Sequence, residues 1–340
     1  MINTVYRLVA PKLFEEEYEE VFLKDNVVVR PTYLSICQAD QRYYNGNRPP
    51  EVLAEKFPMA LIHECIGEVI NDDTGTFSQG DNVVIIPNTP IESDDIISEN
   101  YLESSKFRSS DFDGFMQDYI VSSPDRLVKL PNNINKEVAS FTELVSVSLH
   151  SITRFSEISH EKKTVIGVWG DGNLGYITSL LLKTLFPDSK VIVFGTNDEK
   201  LNIFSFVDET FKINEIPHNL NIDHAFECVG GRGSQMAIDQ IINHIKPEGT
   251  ISFLGVSEFP IPINTRIILE KGLFIFGTSR SGKKDFLNTI KIFEEHPIIL
   301  SYLESIISNV FKIRTLNDIN EAFEKDFNSH YGKTVLVWNK

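Results

Sequence analysis

A glycine-rich turn near the middle of the chain constrains the fold more than any other feature. The apolar run 165–169 leads into the pattern G-D-G-N-L-G, which begins at Gly170, and an apolar segment of helical length follows at 176–186. In this strand–turn–helix context, Gly170 permits the tight turn, Gly172 lets the backbone approach a pyrophosphate, and Gly175 lets the helix pack on the strand. The turn therefore predicts a dinucleotide site, because the start of the following helix presents free N–H groups to phosphate.

The character of the sequence changes on either side of this turn. Residues 1–147 consist of short β-rich runs separated by turns, whereas residues 148–297 alternate short apolar runs with helix-like segments. From 298 to 340 a helix-like segment is followed by one more apolar strand. The sequence therefore predicts two domains: an all-β or barrel-like domain formed by 1–147 together with 298–340, and a doubly wound parallel-sheet domain at 148–297.

Composition and charge limit the partners that this chain can have. The chain has 340 residues, 41% of them hydrophobic and 24% charged, which is typical of a globular protein with two domains. Its formal net charge of −16 argues against nucleic acid or an anionic membrane as a partner. We see no membrane-spanning run and no signal-peptide segment. The cysteines Cys37, Cys65 and Cys228 are odd in number and far apart, so we expect a reducing, cytoplasmic environment.

Residue types that bind zinc occur upstream of the glycine turn. They are the Cys-x-x-Asp segment from Cys37 to Asp40, the pair His63-Glu64, and Glu143. A catalytic zinc takes three protein ligands from thiolate, imidazole and carboxylate groups and keeps one position open. Taken singly, each residue is ambiguous, because a solitary cysteine is usually a small buried side chain and Glu143 could simply be solvated.

In their order and context, these segments resemble the zinc-dependent medium-chain dehydrogenase/reductase family, which includes alcohol and polyol dehydrogenases. The resemblance extends over essentially the whole chain and includes D-G-F-M-Q-D-Y at 113–119. It implies an α/β protein with a GroES-like β-barrel catalytic domain and a doubly wound parallel-sheet Rossmann domain. It also implies a catalytic zinc on Cys37, His63 and Glu143, with Glu64 as an adjacent carboxylate able to enter the coordination sphere.

Two departures from the family pattern refine this expectation. Many relatives carry four cysteines that bind a second, structural zinc, but residues 88–115 contain no cysteine, so we expect a single metal ion. Many relatives also have Ser or Thr two residues after the first ligand, where a proton relay begins. Ala39 occupies that position and has no hydroxyl, so the proton must travel through water, the cofactor ribose or another side chain.

The strand after the glycine turn bears on the choice of nicotinamide cofactor. It ends at Gly195, where an NAD-type site usually has an acid that binds the ribose hydroxyls. Glycine leaves room for a 2′-phosphate, Thr196 can donate a hydrogen bond and Lys200 can offer charge, which favours NADPH. Asp198 or Glu199 could replace the missing acid, although a helix start is itself a reason for acidic residues. The residues expected to contact the cofactor are Gly170, Gly172, Asn173, Leu174, Gly175, Thr196, Lys200, Cys228 and Val229.

Three arginines are candidates for holding a substrate phosphate. They are Arg42, Arg108 and Arg280. Arginine pairs bidentately with phosphate, and neighbouring hydroxyls add donors. For any single arginine, an ordinary surface charge is the simpler interpretation, so the sequence does not decide among them.

Several longer segments are similar to those of a subfamily of bacterial reductases that act on ribulose 5-phosphate, namely 37–44, 107–110, 113–118, 169–176, 224–235 and 254–258. The resemblance implies NADPH-dependent reduction of the C2 ketone of D-ribulose 5-phosphate to D-ribitol 5-phosphate, which would feed a cytidylyltransferase making CDP-ribitol for teichoic acid or capsule. A zinc polyol dehydrogenase acting on an unphosphorylated sugar alcohol is one alternative. A nucleotide-binding regulatory protein on the same scaffold is another. We expect a small phosphosugar substrate and a homodimer or homotetramer.

Overall fold

The computed structural model describes residues 1–329 and 331–340, and the chain divides into two compact units. Unit 1 comprises Met1–Ser146 and Arg280–Lys340, and unit 2 comprises Val147–Ser279. Among the described residues, no helix is both long enough and apolar enough to cross a membrane.

Short strands dominate the first third of the chain, and helices become more frequent after it. The strands are β1 (Ile2–Ala10), β2 (Leu13–Glu20), β3 (Val27–Ser35), β4 (Met59–Ala60), β5 (Glu64–Asp72), β6 (Asn82–Ile85), β7 (Asn88–Thr89), β8 (Lys106–Phe107), β9 (Ile120–Ser122), β10 (Leu127–Lys129), β11 (Val165–Trp169), β12 (Lys190–Gly195), β13 (Glu209–Lys212), β14 (Ile222–Glu227), β15 (Ile245–Phe253), β16 (Phe274–Gly277), β17 (Ile307–Ile313) and β18 (Lys333–Trp338). The α-helices are α1 (Gln38–Tyr44), α2 (Pro50–Lys56), α3 (Lys136–Ala139), α4 (Thr142–Ile158), α5 (Asn173–Leu185), α6 (Asp198–Leu201), α7 (Ser234–His244), α8 (Thr265–Lys271), α9 (Lys283–Glu295), α10 (Ile298–Glu304) and α11 (Leu316–Phe327). Short 3-10 helices occur at Glu99–Tyr101, Pro124–Arg126 and Gly231–Gly233.

Unit 1 is built mainly from β-sheet, as the sequence predicts. Its main sheet has the order β10-β6-β5-β3-β18-β17, with β9 also pairing with β3, and a smaller sheet has the order β2-β1-β4. The C-terminal strand β18 runs antiparallel to β3, with Val335 opposite Ser35. The C-terminal strand is therefore part of the main sheet of unit 1. Apolar side chains from these strands share one core with α11, where the rings of Tyr44 and Phe323 stack with centroids 4.7 Å apart.

Unit 2 is a parallel sheet with helical crossovers. Its order is β13-β12-β11-β14-β15-β16, and every neighbouring pair is parallel. The chain moves outward from β11 to β13 in one direction and then from β14 to β16 in the other. Such a reversal separates the loops at the carboxyl ends of the two central strands and forms the ligand crevice of doubly wound folds. The glycine turn follows β11, so it lies at this position.

The second boundary between the units lies at Arg280 and not at 298 as expected from the sequence. Helix α9, which the sequence pattern assigns to the nucleotide-binding domain, belongs to unit 1. The backbone N–H of Lys283 donates to Glu99 Oε1 at 2.8 Å, and Phe286 is completely buried. Helical periodicity shows that α9 has an apolar face, but it does not show which core covers that face. The first boundary differs by one residue from the expectation.

Candidate active site

Three side chains with metal-binding atoms meet at one end of the β3–β5 pair. Cys37 follows β3 and is the N-cap of α1, His63 immediately precedes β5, and Glu64 is the first residue of β5. The two strands are antiparallel, with Ser35 opposite Glu64, so the end of one strand lies beside the start of the other. As a result, one ligand atom from each of Cys37, His63 and Glu64 lies within 4.8 Å of the other two.

The buried carboxylate of Asp40 fixes the backbone around this group. Its Oδ2 accepts a hydrogen bond from the Cys37 backbone N–H at 3.0 Å. Its Oδ1 accepts from the Ile62 backbone N–H and from the Ser109 hydroxyl, each at 3.0 Å. The Cys-x-x-Asp spacing has this effect because it places the acid at the third position of α1, where it reaches back to the N-cap. Asp40 thus ties together the loops that carry Cys37 and His63.

Backbone strain is concentrated near the same group. Ile62, Ser109 and Arg280 adopt positive φ angles of 71°, 60° and 60°. L-residues rarely adopt this conformation, which costs about 1–3 kcal/mol and is most frequent at functional sites. For the β-branched Ile62, two hydrogen bonds hold the strained backbone: its N–H donates to Asp40, and its carbonyl accepts from the Phe115 N–H at 2.7 Å.

Glu143 lies in the first turn of α4 and is almost completely buried. It is not a member of the 4.8 Å group that the described residues form, but its charge still affects His63. Burial raises the pKa of Glu143 to about 7, with His63 opposing the shift and Glu64 adding to it. For His63, burial lowers the pKa, but the negative charges of Cys37 and Asp40 outweigh burial and raise it well above its ordinary value. The direction for Glu143 thus reflects its burial, whereas the direction for His63 indicates that negative charge predominates around the imidazole.

Lys333 supplies a buried positive charge beside Glu64. Its ammonium donates to Glu64 Oε1 at 2.9 Å, lies 2.7 Å from Oε2, and donates to the Ile36 carbonyl at 2.8 Å. Both side chains are inaccessible to solvent. Burial alone lowers the pKa of Lys333, but the nearby carboxylate outweighs burial and raises it. The charge of Glu64 is therefore already balanced by Lys333.

The donor set at this site suits a zinc ion. A thiolate, an imidazole and carboxylates are the ligand types that Zn²⁺ takes in catalytic centres, and a divalent cation would offset the negative charge that raises the pKa of His63. The site residues thus fit the metal that the sequence led us to expect.

Of the three arginines considered as phosphate ligands, Arg280 is linked most directly to the metal-binding group. Its guanidinium lies over the Phe107 ring at 4.6 Å, and that ring lies 5.3 Å from the His63 ring. Its Nη2 is 3.7 Å from Asp111 Oδ2, and Lys56 Nζ is also 3.7 Å from an oxygen of Asp111. Lys56 is paired more closely with Glu55, at 3.2 Å, whereas the long distance from Arg280 to Asp111 leaves positive charge on Arg280 available for an anion.

The other two arginines occupy different surroundings. The guanidinium of Arg108 lies over the rings of Phe112 at 4.8 Å and Phe115 at 5.3 Å, and it donates to the Asp113 carbonyl at 3.2 Å. The Asp113 carboxylate instead pairs with Arg7 at 2.6 Å. Burial lowers the pKa of Arg108 to about 10. Arg42 lies in the last turn of α1.

The glycine turn in unit 2 has the geometry that its sequence predicts. Gly170 has a φ of 132°, and a Cβ on it would lie 2.9 Å from the Cys228 backbone carbon. A Cβ on Gly175 would lie 2.0 Å from the Gly170 carbonyl oxygen, whereas a Cβ on Gly172 would meet nothing within 4 Å. Two of the glycines are therefore required by the fold, and Gly172 faces open space at the N-cap of α5, where Asn173 and Leu174 begin the helix.

The loop after β12 differs in detail from the expectation. The Thr196 hydroxyl donates to Asp171 Oδ2 at 3.0 Å, so this donor is already engaged. Asp198, one of the two alternatives to the missing acid, forms an ion pair with Lys212 at 3.2 Å. Lys200 forms no ion pair with any carboxylate among the described residues. The structure therefore leaves Lys200 as the available positive charge at this loop.

Cys228 and Val229 follow β14 directly. The Cys228 backbone N–H donates to the Trp169 carbonyl at 2.7 Å, and burial raises the pKa of its thiol, consistent with a small buried residue. The Val229 N–H donates to Glu227 Oε1 at 2.9 Å, and its side chain is exposed. This loop lies beside the glycine turn, as the contact between Gly170 and Cys228 shows.

The sequence alone did not identify two residues that hold the sites in place, Lys333 and Asp171. Lys333 is 269 positions away from Glu64, and only the pairing of β18 with β3 brings them together. Asp171 occupies a variable position of the glycine pattern, which the pattern itself does not constrain. An acid inside a phosphate-binding turn was the available signal, because a negative charge there needs a structural reason.

Comparison with known proteins gives consistent results. Residues 23–132 match the family model described as alcohol dehydrogenase GroES-like domain. The chain is 54% identical to a ribulose-5-phosphate reductase of Bacillus spizizenii and 56% identical to ribulose-5-phosphate reductase 1 of Staphylococcus aureus, in each case covering 99% of both proteins.

Solved structures agree with these sequence relatives. The crystal structure of S. aureus TarJ in complex with NADPH matches with a TM-score of 0.91 and 51% identity, covering 100% of both chains. L-idonate 5-dehydrogenase from Escherichia coli matches with a TM-score of 0.87 at 18% identity, which shows a common fold. The predicted fold class, a GroES-like domain with a doubly wound nucleotide-binding domain, is confirmed.

Proposed function

The chain belongs to the medium-chain dehydrogenase/reductase family and, within it, to the ribulose-5-phosphate reductases, and on that premise we propose that it reduces D-ribulose 5-phosphate to D-ribitol 5-phosphate with NADPH. The proposal rests on one combination of features. Unit 1 brings together the metal-binding atoms of Cys37, His63 and Glu64, and unit 2 has a complete dinucleotide turn. The product would supply a cytidylyltransferase that makes CDP-ribitol for teichoic acid or capsule. A cytoplasmic location is consistent with three free cysteines.

We assign one zinc ion to Cys37, His63 and Glu143, with Glu64 as the adjacent carboxylate. When bound, zinc supplies Lewis-acid polarisation of the ketone, and NADPH supplies the hydride. The chain's own residues hold and orient these groups. Asp40 holds the loops that carry Cys37 and His63 together through hydrogen bonds, and Lys333 balances the charge of Glu64.

The cofactor is assigned to unit 2. Gly172, Asn173 and Leu174 present backbone N–H groups to its pyrophosphate. Lys200 meets the 2′-phosphate, with Thr196 beside it, and the loop at Cys228 and Val229 passes along the cofactor.

A spectrophotometric assay tests the proposed reaction. Oxidation of NADPH is followed with ribulose 5-phosphate and with ribulose, before and after removal of metal by a chelator. We expect turnover with the phosphorylated ketose, a kcat/KM for NADPH above that for NADH, and loss of activity on chelation. Comparable rates with ribulose and ribulose 5-phosphate would instead identify a polyol dehydrogenase.

We assign the substrate phosphate to Arg280, with Lys56 as a second cation. Replacement by Arg280→Met removes a charge-assisted pair worth about 1.5–3 kcal/mol, so KM for ribulose 5-phosphate should rise about 10- to 100-fold. The matched control Arg266→Met removes an exposed arginine of unit 2 that pairs with Glu270, and it should change KM less than about two-fold. A KM unchanged in Arg280→Met but raised in Arg108→Met would transfer this role to Arg108.

We further infer that the chain forms a homodimer or homotetramer. Strand β16 lies at the edge of the unit 2 sheet, and Phe274 on that strand and Leu269 on α8 are 51% and 81% exposed. An uncovered sheet edge beside exposed apolar side chains is typical of a surface that pairs with another chain. Light scattering during size-exclusion chromatography should give twice or four times the chain mass, and Phe274→Lys should lower it; a monomeric wild-type protein would contradict this inference.

A further inference from the structure

We propose that Asp171 is a positioning residue for the adenosine end of the cofactor and that it sets the preference for a 2′-phosphate. This inference rests on the proposed NADPH dependence. Asp171 is an acid inside the glycine turn. Its negative charge would repel the cofactor phosphates, so its presence there requires a structural role.

The carboxylate of Asp171 holds the turn that follows β12. Its Oδ2 accepts hydrogen bonds from the Thr196 backbone N–H at 2.6 Å, from the Thr196 hydroxyl at 3.0 Å and from the Asn197 backbone N–H at 3.1 Å. Three donors converge on a single carboxylate oxygen, which offsets much of its charge. The glycine turn and the loop after β12 are thereby fastened to each other.

The same side chain determines what residue 195 can be. A Cβ on Gly195 would lie 2.6 Å from the Asp171 Cβ and 2.8 Å from its Oδ2, both far below a normal contact distance. A Cβ at 195 would also lie 2.9 Å from Leu201 Cδ2, so Asp171 and Leu201 together fill the space that a side chain at 195 would need. The acid that an NAD-type site carries at the end of this strand cannot coexist with Asp171.

The turn held by Asp171 leads directly to the available positive charge. Asn197 caps α6, and its Oδ1 accepts from the backbone N–H groups of Glu199 at 2.8 Å and Lys200 at 3.2 Å. Asp171 therefore fixes the start of α6 through this turn and, with it, the place of Lys200. A cofactor with a 2′-phosphate at the end of β12 can therefore pair with Lys200. A cofactor with a free 2′-hydroxyl has no acid at residue 195 to accept its hydrogen bond.

Binding of two cofactor fragments tests this role without turnover. The fragments are 2′,5′-ADP and 5′-AMP, which differ only in the 2′-phosphate, and binding is measured by isothermal titration calorimetry on the full chain. For Asp171→Ala we expect Kd for 2′,5′-ADP to rise about ten-fold, while Kd for 5′-AMP changes less than about three-fold, because the turn loses its hydrogen bonds and the pyrophosphate site does not. Asp171→Asn keeps an acceptor oxygen and should stay within about three-fold of wild type.

The control is Asp188→Ala, which removes an exposed acid of unit 2 and should leave both constants unchanged. In the exchange variant Asp171→Gly/Gly195→Asp, which moves the acid to the end of β12, we expect a preference for 5′-AMP. Tighter or unchanged binding of 2′,5′-ADP by Asp171→Ala, or equal weakening of both fragments, would overturn the inference. If the wild-type protein itself did not prefer 2′,5′-ADP, the proposed NADPH dependence would fail with it.

Discussion

At the scale of single residues, the buried pair of Lys333 and Glu64 shows how the metal-binding group is held in place. Two opposite charges that are removed from water gain little net stability as a pair, because each loses its hydration. Removing one partner is different, since the remaining charge is left buried and unpaired. The carbonyl of Ile36 accepts a further hydrogen bond from Lys333 and would be left without it.

Replacement of this lysine should therefore be strongly destabilising. We expect Lys333→Met to lower the free energy of unfolding of unit 1 by about 3–5 kcal/mol and Glu64→Gln/Lys333→Met to recover much of that loss. The control Lys129→Met breaks an exposed pair with Asp81 and should cost less than about 1 kcal/mol. Urea unfolding followed by the fluorescence of Trp338, in a Trp169→Phe background, measures the difference; a loss below about 1 kcal/mol in Lys333→Met would contradict the prediction.

At the scale of elements, strand β14 contains a histidine that the fold keeps neutral. His224 Nδ1 accepts from the Thr250 backbone N–H at 3.1 Å, and Nε2 lies 3.1 Å from the Lys162 carbonyl, so Nε2 carries the proton. Burial, with the nearby positive charges of His160 and Lys163, lowers the pKa of His224 to about 4. In the unfolded chain the pKa returns to 6.5. Between these values the unfolded chain binds a proton that the folded protein does not.

The stability of unit 2 should therefore fall as the pH decreases from 6.5 towards 4. At about pH 5 the loss from His224 is about 2 kcal/mol relative to neutral pH. Urea unfolding at about pH 7.5 and about pH 5, followed by Trp169 fluorescence in a Trp338→Phe background, measures it. His224→Gln should lose most of this pH dependence, whereas His218→Gln, an exposed histidine, should keep it. An unchanged pH dependence in His224→Gln would mean that other groups are responsible.

Elements also show how far the sequence determines the fold and the site. The glycine turn and its flanking strand and helix could be predicted because period, length and turn residues all lie within one short segment. The unit to which α9 belongs could not, since an apolar face does not identify its partner. The contacts of Lys333 with Glu64 and of Asp171 with Thr196 depend on strand order and loop placement, which are properties of the folded chain.

At the scale of the whole molecule, the two proposed functions are carried by different parts of the chain. The residues that we propose to bind zinc are Cys37, His63, Glu64 and Glu143, and all of them belong to unit 1. The glycine turn and the loop after β12 belong to unit 2. Each unit has its own sheet and core, so we expect the groups that would bind the dinucleotide to keep their positions when the metal is removed.

Metal removal should therefore separate turnover from cofactor binding. After dialysis against dipicolinate we expect activity to fall at least about 100-fold, because Lewis-acid polarisation contributes several kcal/mol, and zinc should restore it. NADPH binding, measured by calorimetry on the same sample, should keep its Kd within about three-fold. The metal-free protein should melt at a lower temperature than the zinc-bound protein. A ligand present at about 1,000 times its Kd stabilises the folded state by about 4 kcal/mol, and this stabilisation is lost with the metal. Full activity of the metal-free protein would refute the zinc assignment. Loss of NADPH affinity together with activity would show instead that the cofactor site depends on the metal-bearing unit.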